Sequence, residues 1–364
     1  MNNFNPSYDN VKEALDRIDP IAYGSTRNYV NGAVTRISPF ISRGIISTRQ
    51  VLEHVLHKGY EPRSIESFIQ ELAWRDYWQE VWRQKGDLIN DDLKSPQKDA
   101  FRQGIPNAIV NGETGILAID NGINELKNTG YMHNHVRMYV ASLSCNFGKC
   151  HWKSPAKWMY YYLLDADWAS NALSWQWIVG ANSSKKYIAN QDNINKFCQT
   201  QQKGTFLDLP YESLLKTSIP DPLNEIINPK LYTNLPPALI PSINSELPIL
   251  LYNFYNLDPD WHNDKEFNRI LLLEPEFFAK FPVSDYTITF IYKCAENIPG
   301  IKVFCGNVNE LLKAFPDHKF IFKEHPLNEH YPGEGQSAET MFGIKGYYPS
   351  FFTFWKKCSK VLYG

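Results

Sequence analysis

The chain has 364 residues, of which 43% are hydrophobic and 21% charged, with a formal net charge of −2. That length admits about two domains of ordinary globular composition, and the charge excludes nucleic-acid binding as a bulk property of the surface, leaving it to a local basic patch. Six scattered cysteines with no CxxC pair suggest neither a zinc site nor a disulfide framework, and no leader pattern or membrane-length apolar run occurs, so a cytoplasmic protein with no metal is expected.

Helical signals dominate residues 47–182. Residues 64–85 carry apolar and aromatic positions at helical spacing and stop at Gly86; residues 116–128 repeat the pattern and stop at Gly130. Further helices are predicted over 133–147, over 154–164 behind a Ser154-Pro155 start, and over 168–179 before Gly180. Seven prolines between Ser218 and Pro248 rule out a regular helix and predict an extended connector. Beyond it, short apolar runs at 249–255, 269–273, 301–304 and 319–322 alternate with helical stretches at 284–298 and 309–314. That alternation predicts a small α/β layer with mostly parallel, buried strands. The expected division is a helical domain over 1–215, a connector over 216–247 and an α/β domain over 248–364.

Eight of the ten tryptophans lie between Trp74 and Trp177, crowding that suits either an aromatic core or a site that stacks planar groups. On a helix, Glu71, Trp74, Arg75 and Trp78 fall on one face. This is either a core stripe with an internal ion pair or a binding face with an acid, a base and two rings. His133, Asn134 and Arg137 share a second helix, and Asn171 and Trp175 a third, preceded by Asp165 and Asp167. Each group alone is ambiguous, because an inward-facing His or Asn is more often a satisfied core residue than a catalyst.

Their joint order carries more. Tyr23-Gly24, the stretch TRISPFISRGIIS from Thr35, QELAWRDYW from Gln70, TGYMHNHVRMYVAS from Thr129, Trp152 with Trp158, and LLDADWASNALSWQW from Leu163 occur in sequence over about residues 20–185. This series resembles the flavin domain of the DNA photolyase/cryptochrome family. The resemblance implies a mainly α fold, a helical bundle that holds FAD folded back on itself, here followed by the smaller α/β segment with its mostly parallel sheet. It implies that Tyr23, Thr35, Ser38, Arg75, Asn134, Arg137, Asp165, Asp167 and Asn171 bind the cofactor. Thr35, Ser38 and Arg75 would serve the pyrophosphate, Asp165 and Asp167 the ring N–H and the hydroxyls. Arg137 would pair with Asp165, and Asn171 would face flavin N5.

The resemblance also implies DNA carrying a flipped-out pyrimidine dimer as partner, with Glu71, Trp74, Trp78 and His135 on the substrate side. Glu71 would hydrogen-bond the damaged bases and Trp74 would stack on them. The implied activity is light-driven electron transfer from reduced FAD into a cyclobutane pyrimidine dimer, with Trp175 and Trp152 as inner members of an electron relay. Asn134 and Met138 follow the cyclobutane-dimer subtype rather than the (6-4) one. Three departures stand out. His135 replaces a phosphate-binding arginine, the outer relay tryptophan falls on Ile109, and the α/β segment follows the flavin domain instead of preceding it. No antenna-chromophore site is read from that segment, and a monomer is expected. A cryptochrome-like blue-light photoreceptor that binds FAD without repair is the alternative function, and a bundle that has lost light chemistry is a third.

Overall fold

The structure is a computed structural model that describes residues 4–214 and 216–364. In chain order, short helices α1 (Tyr8–Asp16), α2 (Pro20–Thr26) and α3 (Ser38–Ser42) lead to α4 (Thr48–His57) and the long α5 (Glu66–Lys85). Ser47 opens α4 with a capping box: its hydroxyl accepts the Gln50 N–H while the Gln50 side chain accepts the Ser47 N–H. A two-residue strand β1 (Ile105–Pro106) precedes α6 (Asn107–Asn111), α7 (Leu117–Thr129), α8 (Asn134–Ser142), α9 (Lys153–Tyr162), α10 (Trp168–Val179) and α11 (Gln191–Cys198). After α12 (Tyr211–Leu214), strand β2 (Ile226–Ile227) pairs antiparallel with β1. Then come β3 (Ile249–Tyr252), β4 (Asn268–Leu273), α13 (Pro275–Lys280), α14 (Asp285–Ala295), β5 (Lys302–Cys305), α15 (Val308–Ala314), β6 (Phe320–Lys323), β7 (Glu334–Gln336) and α16 (Phe351–Tyr363).

The main predicted helices form within a few residues of their expected ends. The helix predicted over 133–147 is α8 followed by a π turn over Leu143–Phe147. There the buried Asn146 side chain donates to the carbonyls of Ile178 and Tyr187, a polar demand that a plain α-helical pattern does not announce. Helices α1, α3, α13 and α16 and strand β7 were not predicted. The helix expected near Ser47 is α4, and Ser38 opens a separate short helix, α3, ahead of it.

Contacts group the chain into two compact units that interleave in sequence. One contains Asp19–Val34 and Lys85–Leu231; the other contains the stretch up to Ile18, Thr35–Gln84 and Tyr232–Gly364. In the first, α10 packs on α8 and α9, and α7 packs on α8. Their facing surfaces bury Trp152, Trp158, Trp168 and Tyr160 almost completely. Burying rings of this size supplies much of the unit's apolar area.

The second unit holds a five-stranded, wholly parallel sheet in the order β5-β4-β3-β6-β7. The first strand lies in the centre, and the chain reverses its direction of winding between β3 and β6. Ile249, Leu251, Ile270, Leu272, Phe304, Phe320 and Phe322 form one core beneath α15. The continuous apolar runs of the sequence are explained by this, because strands covered on both faces lose the polar alternation. Gly44 follows α3 at φ +67°, and a Cβ there would lie 2.4 Å from the Tyr255 carbonyl oxygen after β3. Gly44→Ala is therefore expected to lose about 2–4 kcal/mol of stability, read as a fall in the urea midpoint.

Candidate functional site

In the first unit the chemistry gathers where α8 and the start of α10 meet. Arg137, in the first turn of α8, donates through Nη2 to Asp165 Oδ2 at 3.0 Å and through Nε to the Met132 carbonyl at 2.8 Å. Asp165 is only 10% exposed, and its other oxygen, Oδ1, is buried with no hydrogen-bond partner among the described residues. A buried carboxylate oxygen left open in this way costs free energy unless a ligand donor meets it. Asp167, two residues on, is the N-cap of α10 and accepts the Ser170 N–H at 2.7 Å. Buried Asn171 donates to the Ala156 carbonyl at 2.8 Å, which fixes the orientation of its amide. Tyr23 is half-buried on α2, and Asn134 is exposed at the first position of α8.

His135 is held on both sides of its ring. One ring nitrogen lies 2.9 Å from the Asn28 carbonyl and the other 3.2 Å from the Tyr187 hydroxyl. The ring is also stacked on Tyr139 with centroids 4.9 Å apart. Burial lowers its pKa, against the raising effect of the Asn28 bond. Both ring nitrogens thus face partners inside the unit, and burial favours the neutral imidazole.

Both inner relay tryptophans are buried. Trp152 donates its indole N–H to Asp92 at 2.8 Å, and Trp175 lies in the core of α10. Ile109 is fully buried, so the position of the outer tryptophan is an apolar core site here. Trp158 and Trp168 are enclosed, whereas Trp177 reaches solvent at 39% exposure and lies 6.2 Å from the Tyr187 ring.

The second unit contains the α5 face. Trp78 is buried and its ring centroid lies 5.1 Å from that of Trp74. Trp74 remains at the edge of that core. Its ring is stacked face to face on Phe351, the first residue of α16, with centroids 3.8 Å apart and planes 10° from parallel. Glu71 lies half-buried one turn before it; Thr35 is half-buried and Ser38 exposed ahead of α3. Arg75 donates to the Ile41 carbonyl at 3.4 Å and lines a cavity of about 120 Å³.

That cavity sits where the carboxyl ends of β3 and β6 diverge, the place where an open parallel sheet offers a crevice. Its walls include Arg75, Arg83 and Lys323 together with Asp76, Asp258, Glu324 and Glu339, so cations and carboxylates nearly balance. Lys323 pairs with Asp258 at 2.6 Å. Burial pushes the Asp76 carboxyl up to about 6, although the Met341 N–H and the Thr48 hydroxyl, both bonded to it, pull the other way. Burial pushes His325 down to about 3, helped by Arg83 and Arg75. Sequence reasoning named Arg75 but not Asp76, His325 or Phe351. The first two are brought there by tertiary contact, and only Phe351 had a readable signal, the i, i+3, i+4, i+7 spacing of Phe351, Phe354, Trp355 and Cys358.

Residues 68–208 match the family described as the FAD-binding domain of DNA photolyase. That stretch is similar to a photolyase-type FAD-binding domain. It is 28% identical over 177 residues to a deoxyribodipyrimidine photo-lyase of Alkalihalophilus pseudofirmus, with 48% of this chain and 37% of that one covered. To a protein of the same name from Agrobacterium fabrum it is 31% identical over 238 residues, covering 55% and 48%. It is 29% identical over 199 residues to a cryptochrome DASH of Synechocystis, covering 51% and 40%. The chain thus spans well under two thirds of the length of these curated relatives. Arg137, Asp165, Asp167, Asn171, Trp152 and Trp175 lie within the matched photolyase-type domain, as do Glu71, Trp74 and Arg75; Tyr23, Thr35 and Ser38 precede it. No helix among the described residues is long and apolar enough to cross a membrane.

Proposed function

We propose that this chain binds FAD and uses light to split cyclobutane pyrimidine dimers in DNA. The observation that carries the flavin reading is Asp165. Arg137 holds one of its carboxylate oxygens, and the other is buried and open, which fits the need of a flavin-ring N–H for an acceptor. Bound there, FAD would supply light absorption and the transferable electron. The work of the protein is to aim Asp165 through Arg137 and to fix the Asn171 amide through Ala156. Trp152 and Trp175 provide buried, oxidisable rings. The roles of Thr35, Ser38, Arg75 and Tyr23 toward the cofactor, and of Glu71 as hydrogen-bond partner of the damaged bases, rest on the sequence resemblance.

A cryptochrome-like photoreceptor is the second reading. It is favoured by the covering of Trp74 by Phe351 and by the neutral, inward His135. The deciding experiment combines a spectrum with a repair assay. Purified protein should be yellow and should bleach under blue light with a reductant. With ultraviolet-irradiated oligothymidine it should restore thymine absorbance under near-ultraviolet light. A flavin that cycles while dimers persist favours the photoreceptor. Protein that takes up no flavin removes both readings.

A further inference from the structure

The last 24 residues of the chain, from Met341 on, are strapped along α5, and the strap is what covers Trp74. Asp76 accepts the Met341 N–H at 2.7 Å, Glu80 accepts the Gly346 N–H at 2.7 Å, and Tyr77 donates to the Tyr348 carbonyl at 3.1 Å. Beyond Phe351, the Trp355 indole and the Tyr363 hydroxyl both donate to Glu66, at 3.3 and 3.0 Å. Phe351 therefore lies between two anchored stretches. The turn that presents it is capped by Ser350, through a 3.3 Å bond from the Thr353 N–H and a 2.8 Å bond between the two hydroxyls, and its next residue, Phe352, is 69% exposed. A first helical turn has backbone N–H groups with no partner inside the helix, and at a chain-terminal helix with an exposed neighbour it belongs to the readily opened part of a fold.

The geometry points to Phe351 as a built-in stand-in for a base: we propose that it occupies the stacking face of Trp74 and swings aside, with residues 350–354, when a flipped pyrimidine takes its place. A parallel stack at 3.8 Å is the arrangement a planar base would make with an indole, so the two rings compete for one surface. The anchors at Tyr348 and Trp355 limit the displacement to one turn and return Phe351 to its seat when the base leaves. This inference rests on the dimer-binding reading above. Its consequence is a binding penalty in the wild type, since affinity is reduced by the fraction of molecules in which Trp74 is uncovered.

The test measures binding of the full chain to a short single-stranded oligonucleotide containing one thymine dimer, alongside hydrogen exchange. Phe351→Ala should tighten dimer binding about tenfold, with affinity for the undamaged strand unchanged, if the uncovered form is roughly a tenth of the population. Phe351→Leu, which keeps the core filled but lacks a flat ring, should lie between the two. Adding Trp74→Ala should cancel the gain. In the wild type, amides 351–354 should exchange faster than 355–362 and than α5, and faster again with dimer-containing strand bound. If the wild type binds dimers and both Phe351 variants bind equally well, the stand-in proposal is overturned while the repair reading survives. If first-turn amides are slowed rather than freed by the damaged strand, Phe351 does not leave and the proposal also fails. Should neither wild type nor variants distinguish damaged from undamaged strand, the dimer-binding reading fails and takes this one with it.

Discussion

Asp165→Ala is expected to lose all flavin retention and to cost about 2–4 kcal/mol of stability in the flavin-free protein. The stability term comes from Arg137. Its guanidinium is 21% exposed and keeps only the Met132 carbonyl once Asp165 is gone. Breaking a fully buried pair costs about 3–5 kcal/mol, and the residual solvent contact lowers that figure. Asp165→Asn separates the two roles. Its amide oxygen can still accept from Arg137, so stability should fall by only about 1 kcal/mol. The NH2 group then stands where the open oxygen was, and two donors face each other. A site built around a hydrogen bond discriminates strongly when that bond is lost, so flavin affinity should drop on the order of 100-fold. Urea unfolding and flavin absorbance titration read the two effects. Wild-type affinity in the Asn variant would mean that the orphaned oxygen is not the ring acceptor.

Much of the fold could be read from the sequence because its strongest signals are local. Helices α7 and α10 end at Gly130 and Gly180, and α10 begins at the Asp167 cap, each a short-range cue. Strands β3, β4 and β6 are continuous apolar runs, visible because both faces of the sheet are covered. Strand β7, Glu334–Gln336, has no such run. It is an edge strand paired only with β6, and its register depends on backbone bonds rather than side-chain burial. The grouping of α5 with the sheet was hidden for a different reason. It depends on single bonds such as Asp76 to Met341, 265 residues apart, which no periodicity encodes.

The site divides in the same way. Arg137, Asp165 and Asn171 were named through family resemblance, and the bonds they make, Arg137 to Asp165 and Asn171 to the Ala156 carbonyl, follow from the helices that carry them. The surroundings of His135 were not legible, because they depend mostly on residues distant in sequence. Tyr139, Tyr187 and Phe197 enclose the ring, and none is marked in the sequence as its partner. For α5, the helical spacing placed Glu71, Trp74, Arg75 and Trp78 on one face but could not say what that face meets. Trp78 proved to be core and Trp74 the base of a stack with Phe351. A one-face pattern identifies a buried stripe, and only the partner element decides whether the stripe is a core or a site.

The cavity at the sheet's carboxyl edge should give the protein an acid sensitivity that one substitution reverses. His325 titrates near 3 in the folded chain against an ordinary 6.5, because burial and then Arg83 and Arg75 disfavour its charged form. The folded state thus binds fewer protons than the unfolded one as pH falls from 6.5 towards 3, and stability is lost over that window at about 1.4 kcal/mol per pH unit. Part of the ring edge meets solvent, so the total should be nearer about 3 kcal/mol than the full product. Asp76, in the same wall, acts in the opposite sense. Its carboxyl is raised from 3.8 to about 6, so the folded state binds more protons between those values and gains stability as pH falls through them. In the wild type the two contributions largely cancel between pH 6 and 4. His325→Phe removes one of them. It forfeits the Leu327 N–H bond to the imidazole, about 1 kcal/mol at every pH. It also unmasks Asp76, so its stability relative to wild type should climb by roughly 1 kcal/mol per unit from pH 6.5 to 4. Asp76→Asn should do the reverse and steepen the acid loss. Urea unfolding at four pH values resolves these slopes, and a His325→Phe difference that stays constant with pH would mean the imidazole is charged in the folded protein.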